Sequence, residues 1–100
     1  MLKNKTNIEI YDAKKKFKFI KDCNIGKNFK FVKPVNLYEC EIGDNVFVGP
    51  FVEIGKNVKI NDNTRISSHS YICELVTIGK NCFIGHGVMF TNDLFKSGKL

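Results

Sequence analysis

An aliphatic or aromatic residue recurs at every sixth position from Ile42 to Phe90 without a slip: Ile42, Val48, Ile54, Ile60, Ile66, Ile72, Ile78, Ile84 and Phe90. Toward the N-terminus Leu37 stands one residue out of phase, and Phe31 and Ile25 then resume the step. A step of six fits neither the 3.6-residue turn of a helix nor the two-residue alternation of a simple strand. The residue after each landmark is small or polar: Gly43, Gly49, Gly55, Asn61, Ser67, Cys73, Gly79, Gly85 and Thr91. The residue two before is small or β-branched: Val46, Val52, Val58, Thr64, Ser70, Val76, Cys82 and Val88.

This pattern predicts an all-β chain, a left-handed parallel β-helix built from hexapeptide repeats, with about four coils. Each unit is a short strand plus a turn, and three units close one triangular coil. Residues one coil apart then stack about 4.8 Å apart, as neighbouring parallel strands do. Three inward columns result: Ile42, Ile60 and Ile78; Val48, Ile66 and Ile84; Ile54, Ile72 and Phe90. Asn28, Asn45, Asn57, Asn63 and Asn81 all fall three residues after a landmark. Asparagine tolerates the left-handed backbone that a tight corner requires. Phe47, Phe51, Tyr71 and Phe83 are expected to face outward, where a neighbouring chain can cover them. At 100 residues the core is small, so self-association would help, and such prisms usually form trimers.

The repeat divides the chain into an N-terminal basic cap or hairpin (1–23), the β-helix (24–93) and a C-terminal tail (94–100). "IEIY" and "FKFI" each alternate around "DAKKK", which suits a small hairpin or a covering first turn. Residues 1–33 hold ten lysines against three acids, whereas residues 34–100 are close to neutral. "KKKFKF" (14–19) has the composition of a nucleic-acid or lipid contact. A solvated end with two aromatics tucked inward is the preferred reading, so neither nucleic acid nor membrane is expected as a partner. No stretch approaches the ~18 apolar residues of a membrane span, and the first residues lack the apolar core of a signal peptide. A cytoplasmic location is expected. Cys23, Cys40 and Cys82 occupy the small-residue slot and read as core fillers. With no CxxC pair and no histidine at zinc spacing, no metal site is expected.

Two stretches carry a closer likeness: "NLYECEIGDNVFVGPFVEIGKNVKI" (36–60) and "SSHSYICELVTIGKNCFIGHGVMFTNDLF" (67–95). Together they resemble the N-acetyltransferases that act on nucleotide-linked amino sugars, most closely those acetylating dTDP-3-amino-3,6-dideoxyhexoses for bacterial surface glycans. The resemblance implies a trimer with active sites in clefts between prisms, acetyl-CoA as acyl donor, and a dTDP- or UDP-linked amino sugar as acceptor. Residues like those in "GHGVMFTND" would line the sugar end. Such enzymes continue through further coils that hold much of the acetyl-CoA, whereas this sequence ends at Leu100. A non-catalytic β-helix subunit keeping only the sugar-nucleotide part of the site is therefore the alternative expectation.

Acetylating an amine needs a neutral nitrogen to attack the thioester, a donor for the developing oxyanion, and an acceptor for the departing proton. His86, flanked by Gly85 and Gly87, is the candidate base, because an imidazole titrates near working pH. It occupies a corner position filled elsewhere by Asp44, Pro50, Lys56, Asp62, Ser68, Glu74 and Lys80, so an ordinary exposed corner is its bland reading. Main-chain N–H groups beside Gly85 and Gly87 are candidate oxyanion donors. His69 takes a corner slot otherwise used by asparagine and falls nearly one coil below His86, which places both in one cleft as candidate catalytic residues. Asn92 and Asp93 are candidates for binding sugar hydroxyls or orienting the amine, and Glu74 for pairing with it. Arg65 and Lys59 are possible phosphate contacts, with a solvated face as the simpler reading.

Overall fold

The computed structural model describes residues 7–90. Its strands are β1 (Ile8–Ile10), β2 (Ile20–Lys21), β3 (Asn24–Ile25), β4 (Lys30–Val32), β5 (Val35–Tyr38), β6 (Glu41–Ile42), β7 (Phe47–Val48), β8 (Val52–Ile54), β9 (Lys59–Ile60), β10 (Arg65–Ile66), β11 (Tyr71–Ile72), β12 (Thr77–Ile78) and β13 (Phe83–Ile84). They form the three faces of a left-handed triangular prism. Face A has the order β1-β4-β7-β10-β13, face B β11-β8-β5-β2, and face C β12-β9-β6-β3. All pairings are parallel except that of β1 with β4. Among the described residues no helix is long and apolar enough to cross a membrane.

The stacked columns follow the six-residue step. Ile42 pairs with Ile60 and Ile60 with Ile78; Val48 pairs with Ile66 and Ile66 with Ile84; Ile54 pairs with Ile72. These side chains are buried, with Ile54, Ile66 and Ile72 wholly out of water, while Ile84 and Phe90 pack half-buried against the same core. Thr64 and Ser70 occupy the small-residue slot without a desolvation penalty. The Thr64 hydroxyl donates to the Gly79 carbonyl at 2.9 Å, and the Ser70 hydroxyl to the Gly85 carbonyl at 3.2 Å.

The phase slip at Leu37 has a local cause. Leu37 stacks on Ile54, Phe31 on Val48 and Ile25 on Ile42. The corner from face B to face C is one residue shorter in the first two coils, between Leu37 and Ile42 and between Ile20 and Ile25. The columns therefore run unbroken through the shift.

The N-terminal segment departs from one expectation. "IEIY" and "FKFI" do not pair as a hairpin. Ile8–Ile10 instead lies antiparallel to Lys30–Val32, and Ile20–Lys21 already belongs to face B of the first coil. Tyr11, Phe17, Phe19, Phe29 and Phe31 form a ring cluster with centroids 5.4 to 6.2 Å apart. Those rings cover the end of the first coil, where a solenoid would otherwise expose core and strand edges.

Candidate functional site

The three corners differ in which residues hold their left-handed backbone. On the corner from face C to face A the position is asparagine in every coil: Asn28, Asn45, Asn63 and Asn81, with φ of 57 to 61°. On the corner from face B to face C it is Asp22, Glu39, Asn57 and Leu75. On the corner from face A to face B it passes from Phe51 (φ 60°) to His69 (φ 62°) to Gly87 (φ 67°). Left-handed backbone costs a residue bearing a Cβ roughly 1–2 kcal/mol. Two consecutive rings in that position mark the A–B corner as unlike an asparagine turn.

Both histidines stand on this corner, in successive coils. The His86 Nδ1 lies 2.9 Å from the Ser68 hydroxyl directly below it. The His69 ring stacks on Phe51, with centroids 4.9 Å apart and planes 21° from parallel. Main-chain bonds hold the tiers in register: the His69 N–H donates to the Pro50 carbonyl at 3.1 Å and the Gly87 N–H to the Ser68 carbonyl at 3.0 Å. The last bond commits the Gly87 N–H to the fold. Among the described residues, the Ser68 and His86 N–H groups donate to no backbone carbonyl at this corner.

The surroundings of the corner are apolar and exposed. Phe51 is 57% exposed, Phe83 66% and Met89 65%. On face A the Arg65 guanidinium lies 4.5 Å from the centroid of the Phe47 ring in the coil below, a cation–π contact on the outer surface. On face B a shallow recess of about 300 Å³ opens beside Phe51, lined also by Pro34, Asn36 and Glu53. The Tyr38 hydroxyl, one coil below, donates to the Glu53 carboxylate at 2.8 Å, and that bond, with burial, pushes the Tyr38 phenol up to about 12.

Other candidate residues fall elsewhere. Glu74 stands on the B–C corner beside Leu75, so within one prism it does not join His86. Lys59 lines a groove of about 490 Å³ on face C together with Asp22, Glu39 and Glu41, an acidic setting unsuited to phosphates. Asn92 and Asp93 lie outside the described residues. Among the described residues no cluster of three or more metal-ligating side chains forms.

The cysteines hold a feature that the slot pattern did not suggest. The Cys23 and Cys40 sulfurs lie 3.4 Å apart, with Cys40 buried. The hydrogen bond from Cys40 holds the Cys23 thiol down to about 7, while the same bond and burial push Cys40 up. Cys40→Ala removes that donor. Cys23 alkylation at neutral pH is expected to slow several-fold, its pH midpoint moving up toward the ordinary range near 8.5. An unmoved midpoint, followed by mass spectrometry, would contradict the assignment.

With this geometry in view, comparison with known proteins places the repeat. The bacterial transferase hexapeptide (six repeats) family profile matches residues 39–74. This is a hexapeptide-repeat β-helix. Its relatives include the bifunctional protein GlmU of Clostridioides difficile, 38% identical over 93 residues, a stretch that covers 87% of this chain and 19% of that protein. GlmU of Acetivibrio thermocellus is 41% identical over 71 residues, or 71% of this chain and 14% of the relative. The acyl-[acyl-carrier-protein]--UDP-N-acetylglucosamine O-acyltransferase of Thermodesulfovibrio yellowstonii is 44% identical over 46 residues, 46% of this chain and 18% of the relative. This hexapeptide-repeat chain thus spans a fifth or less of the length of these curated relatives. No solved structure gives a significant match.

Proposed function

We propose that the protein is an acyltransferase of the hexapeptide-repeat type, moving an acetyl group from acetyl-CoA to the amine of a dTDP- or UDP-linked amino sugar for bacterial surface glycans. The relative named as an acyl-carrier-protein-dependent O-acyltransferase of UDP-N-acetylglucosamine supports acyl transfer to a nucleotide sugar. The nitrogen acceptor and the acetyl-CoA donor rest on the likeness of "SHSYICELVTIG" and "IGHGVMFTND" to the amino-sugar N-acetyltransferases. The observation that carries the proposal is the His86 Nδ1 at 2.9 Å from Ser68 Oγ on a glycine-flanked, exposed corner.

In the tautomer where Nδ1–H donates to Ser68 Oγ, the ring is held upright and Nε2 keeps its lone pair toward solvent. The amine attacks the thioester carbonyl, a C–N bond forms, and the C–S bond breaks as coenzyme A leaves as thiolate. Nε2 takes the proton lost by the nitrogen, and the thiolate is protonated in turn. The His86 and Ser68 N–H groups, which donate to no backbone carbonyl among the described residues, are the proposed donors to the developing oxyanion. Arg65, held against Phe47 on face A, is the proposed cation for nucleotide phosphates.

A triangular prism is convex at its corners, so one prism cannot enclose a substrate. The proposal therefore includes a homotrimer, whose neighbouring prism covers the exposed Phe51, Phe83 and Met89 and completes a cleft. Glu74, on another corner, reaches that cleft only from an adjacent protomer. Light scattering is expected to give a trimer, and mass spectrometry a sugar nucleotide heavier by one acetyl group after incubation with acetyl-CoA and a UDP- or dTDP-linked amino sugar. A monomer would remove the cleft. Heat from the sugar nucleotide with none from acetyl-CoA, in calorimetry, would mark a binding subunit and overturn the catalytic reading.

A further inference from the structure

The A–B corner carries a partly built stack of rings. Phe51 is the first tier and His69 the second, 4.9 Å above it and nearly parallel. The third position in the same column is Gly87, which has no side chain, and a Cβ built there meets nothing within 4 Å among the described residues. The upper face of the His69 imidazole therefore looks onto a tier at which, among the described residues, the column has no side chain. Exposed Phe83 and Met89 lie on either side of Gly87 in that coil, and His86 adjoins it.

We infer that a nucleobase occupies this third tier, stacking on the His69 ring over Gly87. The inference rests on the nucleotide-sugar reading above, and it names the subsite and the residue that would read the base. Three features converge on a flat heterocycle. The column already has the near-parallel ring spacing that stacking takes. Backbone as close as Gly87 leaves a base free of a Cβ beneath its edge. The asparagine usual elsewhere at such corners is replaced by two rings despite the cost of holding them left-handed. Stacking reads a π-face and so tolerates any base. Two sources share this chemistry, the pyrimidine of a nucleotide sugar and the adenine of coenzyme A.

The test uses His69→Asn and His69→Phe in the full chain. Asparagine already holds the left-handed slot at Asn45 and Asn63, so the first variant keeps the corner while removing the ring. Phenylalanine holds it at Phe51, so the second keeps a ring without the nitrogens. Calorimetry with uridine diphosphate, thymidine diphosphate and coenzyme A is expected to show about a tenfold weaker Kd in His69→Asn for at least one of them. His69→Phe should restore that affinity, and ribose 5-phosphate, which lacks a base, should not distinguish the three proteins. Loss confined to the pyrimidine nucleotides assigns the base to the sugar nucleotide; loss confined to coenzyme A assigns it to adenine. In the parent, the His69 ring proton resonances should move upfield as that nucleotide is added. Equal affinity of parent and His69→Asn for every nucleotide would overturn the stack while leaving acyl transfer standing. Failure of the parent to bind any of the three would overturn both.

Discussion

His86→Asn is expected to lower acetyl transfer by about two to four orders of magnitude, the range a positioned proton acceptor contributes. Asparagine is the informative replacement because its side-chain amide can still donate to Ser68 Oγ, which keeps the corner link now at 2.9 Å. It cannot accept a proton at the site of Nε2. Assembly and melting temperature should therefore stay close to those of the parent, since His86 is exposed and carries no core contact. The measurement is steady-state transfer to the amino sugar, followed by release of the coenzyme A thiol. Turnover equal to the parent's would remove the base role and leave His86 as a corner residue alone. Ser68→Ala should give a smaller loss, because it frees the ring to turn without removing the lone pair.

The largest effect on stability is expected from the centre of a column. Ile66 is wholly buried and stacks between Val48 and Ile84. Truncating it to alanine removes packing that neighbouring coils cannot collapse to fill, a loss of about 2–5 kcal/mol. Denaturant unfolding should show a lower midpoint with little change in slope. Ile84→Ala should cost distinctly less, because Ile84 is only half-buried. Equal costs at the two positions would contradict a core that is densest in the middle coils.

How much of this was legible in the sequence follows from what periodicity can carry. The six-residue step identifies inward positions, and one coil of three units identifies what stacks on what. The columns Ile42–Ile60–Ile78 and Val48–Ile66–Ile84 are therefore readable directly. Asparagine at Asn28, Asn45, Asn57, Asn63 and Asn81 announced left-handed corners, and all five have positive φ. The same arithmetic held signals that asparagine obscured. Ser68 lies one coil below His86, and Phe51 one coil below His69, so both pairs were within reach of spacing alone. Glu74 is two units from His86, which puts it on a different corner. The Cys23–Cys40 contact was hidden by the shortened corner near Leu37, which changes the stacking interval in the first two coils. Outside the repeat, alternation in "IEIY" announces a strand but not its partner. Burial against the aromatic cluster, not a local turn, decides that it lies on β4.

The proposed chemistry sits on the A–B corner, where His69 and His86 stand on successive coils. A crystal structure of the protein with a UDP- or dTDP-linked amino sugar tests it most directly. The sugar nitrogen is expected within hydrogen-bond reach of His86 Nε2, on the edge joining faces A and B. A sugar seated in the acidic groove of face C, or on either asparagine-bearing corner, would contradict it.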